Sequence, residues 1–185
     1  MTVPPSGQGT PGTTDTAARR AFCATLWDGM LALYGVPEVP PLCLRLQDGA
    51  GADVPLLLVL VLADHAGLGA NASQGRALIR NTAFWRDTVV VPIRSVRRAL
   101  KGQTDTADQA FRDHLKHLEL AAERRHVARI SAAFGHLSGT GRLAPLYLAE
   151  LGLADAEIKA ALSVLADACA TLPESASSNC NTDKK

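Results

Sequence analysis

A chain of 185 residues, 47% hydrophobic and with a formal net charge of +1, has the length of one globular domain and needs neither disulfide nor metal to hold a core. So small a net charge excludes a polyanionic partner chosen by bulk charge alone. None of the four cysteines lies in a C-x-x-C pair, which removes the common zinc and redox motifs. The charge is uneven: residues 76–141 carry twelve Lys/Arg against six Asp/Glu, and both flanks are acidic.

Residues 1–14 are Pro, Gly, Thr and Ser with almost no apolar side chain, and the composition predicts a disordered tail. No basic region followed by an apolar one marks a signal peptide. A first helix is expected from Asp15 or Thr16. Phe22, Cys23, Leu26, Trp27, Met30, Leu33 and Tyr34 form its apolar stripe, and Gly35 and Pro37 end it. A short helix over Val39–Gln47 follows, then a turn at Asp48-Gly-Ala-Gly.

Val54–Ala63, VPLLLVLVLA, is apolar at every position. A helix of that kind must be buried on all sides. Asp53 is a suitable N-cap, Pro55 falls in the first turn and Gly67 suits a left-handed C-cap. The run is too short to cross a bilayer, which needs about 20 residues. A helix over about 53–66 is therefore placed at the centre of the fold.

Asn71–Asn81 reads as the next helix, and Pro92 predicts a kink or a fresh start. From Pro92 to Lys101, Ile93, Val96 and Leu100 form one side and Arg94, Arg97, Arg98 and Lys101 the other. A long helix over Thr104–Phe134 carries two stripes: Phe111, Leu115, Leu118 and Ala122, then Leu120, Val127, Ile130 and Phe134. Leu143–Leu151 and Asp155–Leu172 complete the set, and Pro173 stops the last. Residues 174–185 read as a second disordered tail. Strand signals are nearly absent. The expectation is an all-α bundle of six or seven helices in a single domain over 15–173. Cys23, Cys43 and Cys169 read as small buried hydrophobes, and free thiols suit a reducing cytoplasm.

The segments LWDGMLALYGVPEVPPLCLRLQDGAGADVPLLL, WRDTVVVPIRSVRRALK and KHLELAAE, in this order, resemble an uncharacterised proteobacterial domain-of-unknown-function family (DUF2390-like). The likeness spans about Leu26–Glu123. It implies a bacterial, intracellular, all-helical protein and no particular activity.

Three groups of residues are candidates for function. Arg94, Arg97, Arg98 and Lys101 recur at i, i+3, i+4 and i+7, so four cations share about 100° of one helix face. Such a face suits an acidic protein, phosphates or an anionic membrane; it equally suits a solvated face paired with Asp105 and Asp108. Glu119 and Glu123, i and i+4, point the same way and would pair with Arg94 or Arg97 across two helices if turned inward. His114, His117 and the Glu123–His126 E-x-x-H step carry ligand types for a metal, but a di-iron bundle needs a second such step, and the sequence has none. Asp64-His65 places a carboxylate beside an imidazole, though neighbours on a helix diverge by about 100°. No G-x-S-x-G, Walker or G-x-G-x-x-G motif occurs. No cofactor and no metal ligand set is assigned. The reading is a non-enzymatic cytoplasmic accessory or adaptor protein acting through the basic helix. The alternatives are nucleic-acid binding by Arg94–Lys101 and a His/Glu metal protein or enzyme.

Overall fold

The structure is a computed structural model and describes residues 12–173. Among these residues there are eight α-helices, one π-helical turn and no strand. They are α1 (Gly12–Tyr34), α2 (Val39–Ala50), α3 (Val54–His65), α4 (Ala72–Trp85), the π-turn (Arg86–Val90), α5 (Val91–Ala99), α6 (Thr106–Phe134), α7 (Leu143–Glu150) and α8 (Asp155–Ala170). Because α4, the π-turn and α5 are continuous, the chain forms seven helical rods, an all-α bundle. α1 is already helical at Gly12, three residues before the expected start. The rest of the two expected tails, and Cys180 with them, lies outside the described residues.

α3 is the centre. Every residue from Pro55 to Ala63 is buried, against α1, α6, α7 and α8. Burying a Leu or Val side chain contributes about 1.5–3 kcal/mol, so this helix dominates the core. Its start is set by Asp53, whose Oδ1 accepts from the Leu56 N–H at 3.2 Å. Its end is set by Gly67 at φ +71°, with the Leu68 N–H returning to the Ala63 carbonyl at 2.8 Å, a closure only a left-handed residue allows.

The segment after α3 crosses the segment before α7. The Ala70 N–H donates to the Gly141 carbonyl at 2.9 Å and the Asn71 N–H to that of Ser138 at 3.0 Å. A Cβ on Gly69 would sit 2.4 Å from the Gly141 oxygen, so the crossing needs glycine. The carbonyl of Gly69 accepts from the buried Arg19 guanidinium at 2.6 Å.

Pro92 acts through geometry rather than a break. Its ring lacks the N–H and crowds the preceding turn. The helix widens just before it: the Val91 N–H reaches back to Arg86, and α5 continues from there.

The long helix departs from the pattern read in the sequence. Val127, Ile130 and Phe134 are buried, but of the first stripe only Ala122 is. Phe111 is 56% exposed and Leu118 53%, and Leu120 of the second stripe is also half exposed. No residue of α6 before Glu119 is buried, and α5 has no buried residue. Helical periodicity locates a stripe but not what covers it, and α5, the preceding helix, is only nine residues long and buries none of its own.

Cys43 and Cys169 are buried and Cys23 is partly so; all three are free thiols. Burial pushes both buried thiols up to about 11, so they are poor nucleophiles. Among the described residues no helix is long and apolar enough to cross a membrane.

Candidate functional site

Two polar centres flank the N-terminal end of α3. The first joins α5 to α6. Arg94 Nε donates to Glu119 Oε1 at 2.8 Å, its Nη1 donates to Gln47 Oε1 at 2.7 Å, and its Nη2 donates to Glu123. Arg97 donates to the other Glu119 oxygen. Glu119 is thus held by two guanidiniums and Arg94 by three acceptors. The side of α5 that carries Arg94 and Arg97 faces α6, while Val96 on the opposite side is 48% exposed.

The remaining two cations differ. Arg98 meets Asp48 at 3.2 Å, both side chains half exposed, and Lys101 is exposed with no ion pair among the described residues. The four basic residues therefore split into an inward pair, 94 and 97, and an outward pair, 98 and 101.

The titration of the two carboxylates splits as well. Burial alone would raise the Glu119 carboxyl, but Arg97 and Arg94 outweigh it and hold the group below the usual range. At Glu123 burial wins over Arg94 and pushes the carboxyl up.

The second centre is dry. Asp53 Oδ2 accepts from His126 Nε2 at 2.6 Å, with side-chain exposures of 3% and 1%. The backbone N–H of Asp53 donates to the Tyr147 hydroxyl at 2.6 Å, and burial raises that phenol above its ordinary value. His126 Nδ1 has no hydrogen-bond partner among the described residues. The imidazole therefore bridges to no nucleophile, and the arrangement ties α6 and α7 to the start of α3.

A cleft of about 310 Å³ opens beside these centres, its charged lining being Asp48, Asp53, Asp87, Arg86, Arg94 and Arg98. Three arginines stand among three aspartates. Arg86 is bound to Asp87 at 2.7 Å and to the Gly51 carbonyl at 3.2 Å, so the wall largely neutralises itself.

The other candidates do not converge. Glu123 turns to Arg94 and His126 to Asp53, so the E-x-x-H step presents no shared site. His114 and His117 are exposed, each bonded to the carbonyl four residues back. Asp64 and His65 separate: Asp64 accepts from the Leu143 and Ala144 N–H groups at 2.7 and 3.0 Å, capping α7, and His65 is exposed. Burial still raises the Asp64 carboxyl despite those two bonds. No group of three or more His, Cys, Asp or Glu among the described residues is placed to hold a metal ion.

Sequence reasoning missed the Asp53–His126–Tyr147 centre. Asp53 was legible as an N-cap, but its partners lie 73 and 94 residues away, where no local pattern points.

A family model described as a protein of unknown function (DUF2390) matches residues 25–130. That span runs from the middle of α1 to Ile130 and includes both polar centres except Tyr147. No curated protein matches the chain, and no solved structure does.

Proposed function

The chain belongs to the DUF2390 family of proteins of unknown function, and from that premise we propose a non-enzymatic adaptor of the bacterial cytoplasm whose recognition element is the α5–α6 hairpin. One observation carries the reading. The hairpin is internally stiffened by Arg94, Arg97, Glu119 and Glu123, yet leaves Val96 of α5 and Phe111 and Leu118 of α6 about half exposed, and Arg98 and Lys101 are exposed as well. Large apolar side chains left exposed on one helix face, as Phe111 and Leu118 are on α6, are a common mark of a protein interface. A phosphate-binding role for the same helix loses two of its four cations to Glu119 and Glu123.

The test is capture of partners from native lysate by wild type, by Arg98→Ala/Lys101→Ala and by Phe111→Ser/Leu118→Ser. An alanine set that includes Arg94 and Arg97 would unpair the buried Glu119 and confuse stability with binding. Loss of a partner from either double variant at unchanged Tm supports the reading. Identical capture by all three proteins refutes it.

A further inference from the structure

We propose that the outer face of α6 is the seat of an acidic amphipathic helix from a partner protein; this deepens the adaptor reading and rests on it. From residue 107 onward, positions recurring every four and three residues run through Phe111, His114, Leu118, Ala121, Arg125 and Ala128, and every one is exposed. Alternating spacing of that kind forms a single seam along a helix, the pattern by which two helices interlock. The small residues Ala121 and Ala128 leave room for close approach of a second backbone. Phe111 and Leu118 supply apolar anchors at one end of the seam.

The other end is built for carboxylates. Arg124 stacks on Trp27 of α1 at 5.1 Å, and Arg129 stacks on Trp85 of α4 at 4.6 Å. At about 100° per residue the two stand on opposite edges of the seam, with Arg125 between them. None of the three takes part in an ion pair among the described residues. Trp85 is itself fixed, its Nε1 donating to the Ala122 carbonyl at 3.0 Å. A guanidinium placed over an indole ring can still turn N–H donors outward, and its forked geometry matches a carboxylate. Two cations held over indoles, with Arg125 between them, around a seam of Phe111, Leu118, Ala121 and Ala128 call for a helix with apolar residues at heptad spacing and Asp or Glu on its flanks.

A second copy of the chain fits less well. A parallel pairing sets these arginines against themselves. An antiparallel one sets them against residues 108–117, where Asp108 and Asp113 are balanced by Arg112 and Lys116.

The experiment uses the full chain and three labelled helical peptides, monomeric at working concentration, with leucine at the heptad core positions. Their flanking positions carry Glu, Gln or Lys, and binding is read by fluorescence anisotropy. The Glu peptide is expected to bind at least tenfold more tightly than the Gln peptide and to weaken as salt rises, with the Lys peptide unbound. Arg124→Gln/Arg129→Gln should remove that tenfold preference for Glu over Gln. Phe111→Ser/Leu118→Ser should weaken the Glu and Gln peptides alike. Equal binding of all three peptides, or a preference for Glu that survives loss of both arginines, overturns the proposal. So does sedimentation showing a dimer that Phe111→Ser/Leu118→Ser dissolves, or RNA binding that Arg124→Gln/Arg129→Gln abolishes while the peptides fail. If the peptides fail but lysate capture still depends on the hairpin, the adaptor reading stands and only this partner class falls.

Discussion

The two halves of α6 are one continuous helix under two different rules. From Glu119 to Phe134 it runs through the bundle, and Val127, Ile130 and Phe134 are almost fully buried. From Thr106 to Leu118 it carries apolar side chains at equally regular spacing, and Phe111 and Leu118 stay in solvent. The difference comes from the neighbours. α6 packs against α1, α3, α4 and α5, and every residue it buries lies from Glu119 onward, while α5, which precedes it, is nine residues long and buries none. At the start of the buried half sit Glu119, Glu123 and His126, the polar groups that fasten α6 to α5 and to the N-cap of α3. The helix is thus gripped at its middle and free on one side of its first half.

The largest effect should come from breaking the buried half. Phe134 is fully buried, with its ring 5.4 Å from that of Phe22 and the Arg19 guanidinium over its face. Phe134→Ala removes a core side chain and leaves a cavity that close packing refills only in part, at a cost of about 3–5 kcal/mol. Chemical denaturation should show a fall in the midpoint with little change in slope. A loss below about 1 kcal/mol would mean that this end of α6 is not part of the cooperative core.

Next in size is the dry fastening. His126→Leu keeps the volume but leaves the Asp53 carboxylate buried at the start of α3 with only its N-cap bond to Leu56. Separating one partner from a buried polar pair costs about 3 kcal/mol, chiefly through the group left behind. His126→Leu combined with Asp53→Asn should recover part of that loss, because the stranded charge is gone. If the double variant is no better than the single one, the carboxylate is not what makes the histidine necessary.

What was legible in the sequence divides along the same line as the helix. The core was readable because burial on every side leaves a direct trace, the unbroken apolar run of α3, and because Asp53, Pro55 and Gly67 mark its ends chemically. The α4–α5 junction was readable from Pro92, although not the π-turn that absorbs the proline. Phe111 and Leu118 misled, since a spacing of four and three residues says that a face exists and nothing about what covers it. The pairing of Arg94 and Arg97 with Glu119 and Glu123 was legible from the two carboxylates at i and i+4 on α6; that Arg98 turns to Asp48 instead depends on how α5 folds back, which charge spacing along one helix does not encode. The divergence of Asp64 and His65 was legible from helical geometry, but the partners Asp64 does find, the N–H groups of Leu143 and Ala144, lie 79 and 80 residues on, where no local pattern points.

The half-wet fastening should give a smaller, pH-dependent effect. Glu119 titrates below its ordinary value in the folded chain. Its contribution to stability is therefore fully present above the unfolded carboxylate pKa, about 4.3 for Glu, and is lost as the pH falls through the folded value. Glu119→Gln should cost about 1–3 kcal/mol at pH 7, the range for hydrogen bonds to a charged group. The gap to wild type should begin to narrow below about 4.3, where the unfolded carboxyl takes up its proton, and close only as the pH falls through the lower folded value, where both carry a neutral side chain. Glu123 has the opposite sign, since burial raises it, so Glu123→Gln should leave the acid limb of wild type largely in place. Parallel stability–pH curves for wild type and Glu119→Gln would show that the two arginines do not hold Glu119 ionised.

The smallest effect belongs to the free half, and it matters because it is small. Phe111→Ser removes a large aromatic from α6, yet with most of the ring in water little transfer energy is lost. An exposed site away from caps and buried polar groups typically moves stability by no more than about 0.5 kcal/mol. Set beside Phe134→Ala, the contrast is between two phenylalanines 23 positions apart on one helix, one holding the bundle together and one facing outward. An aromatic that does nothing for the fold is a poor choice of residue for an exposed helix, where it lowers solubility and helical propensity alike. A near-zero change in Tm for Phe111→Ser would therefore assign the ring to recognition. A loss approaching that of Phe134→Ala would mean instead that the first half of α6 shares the core's cooperativity, and the distinction between the two halves would vanish.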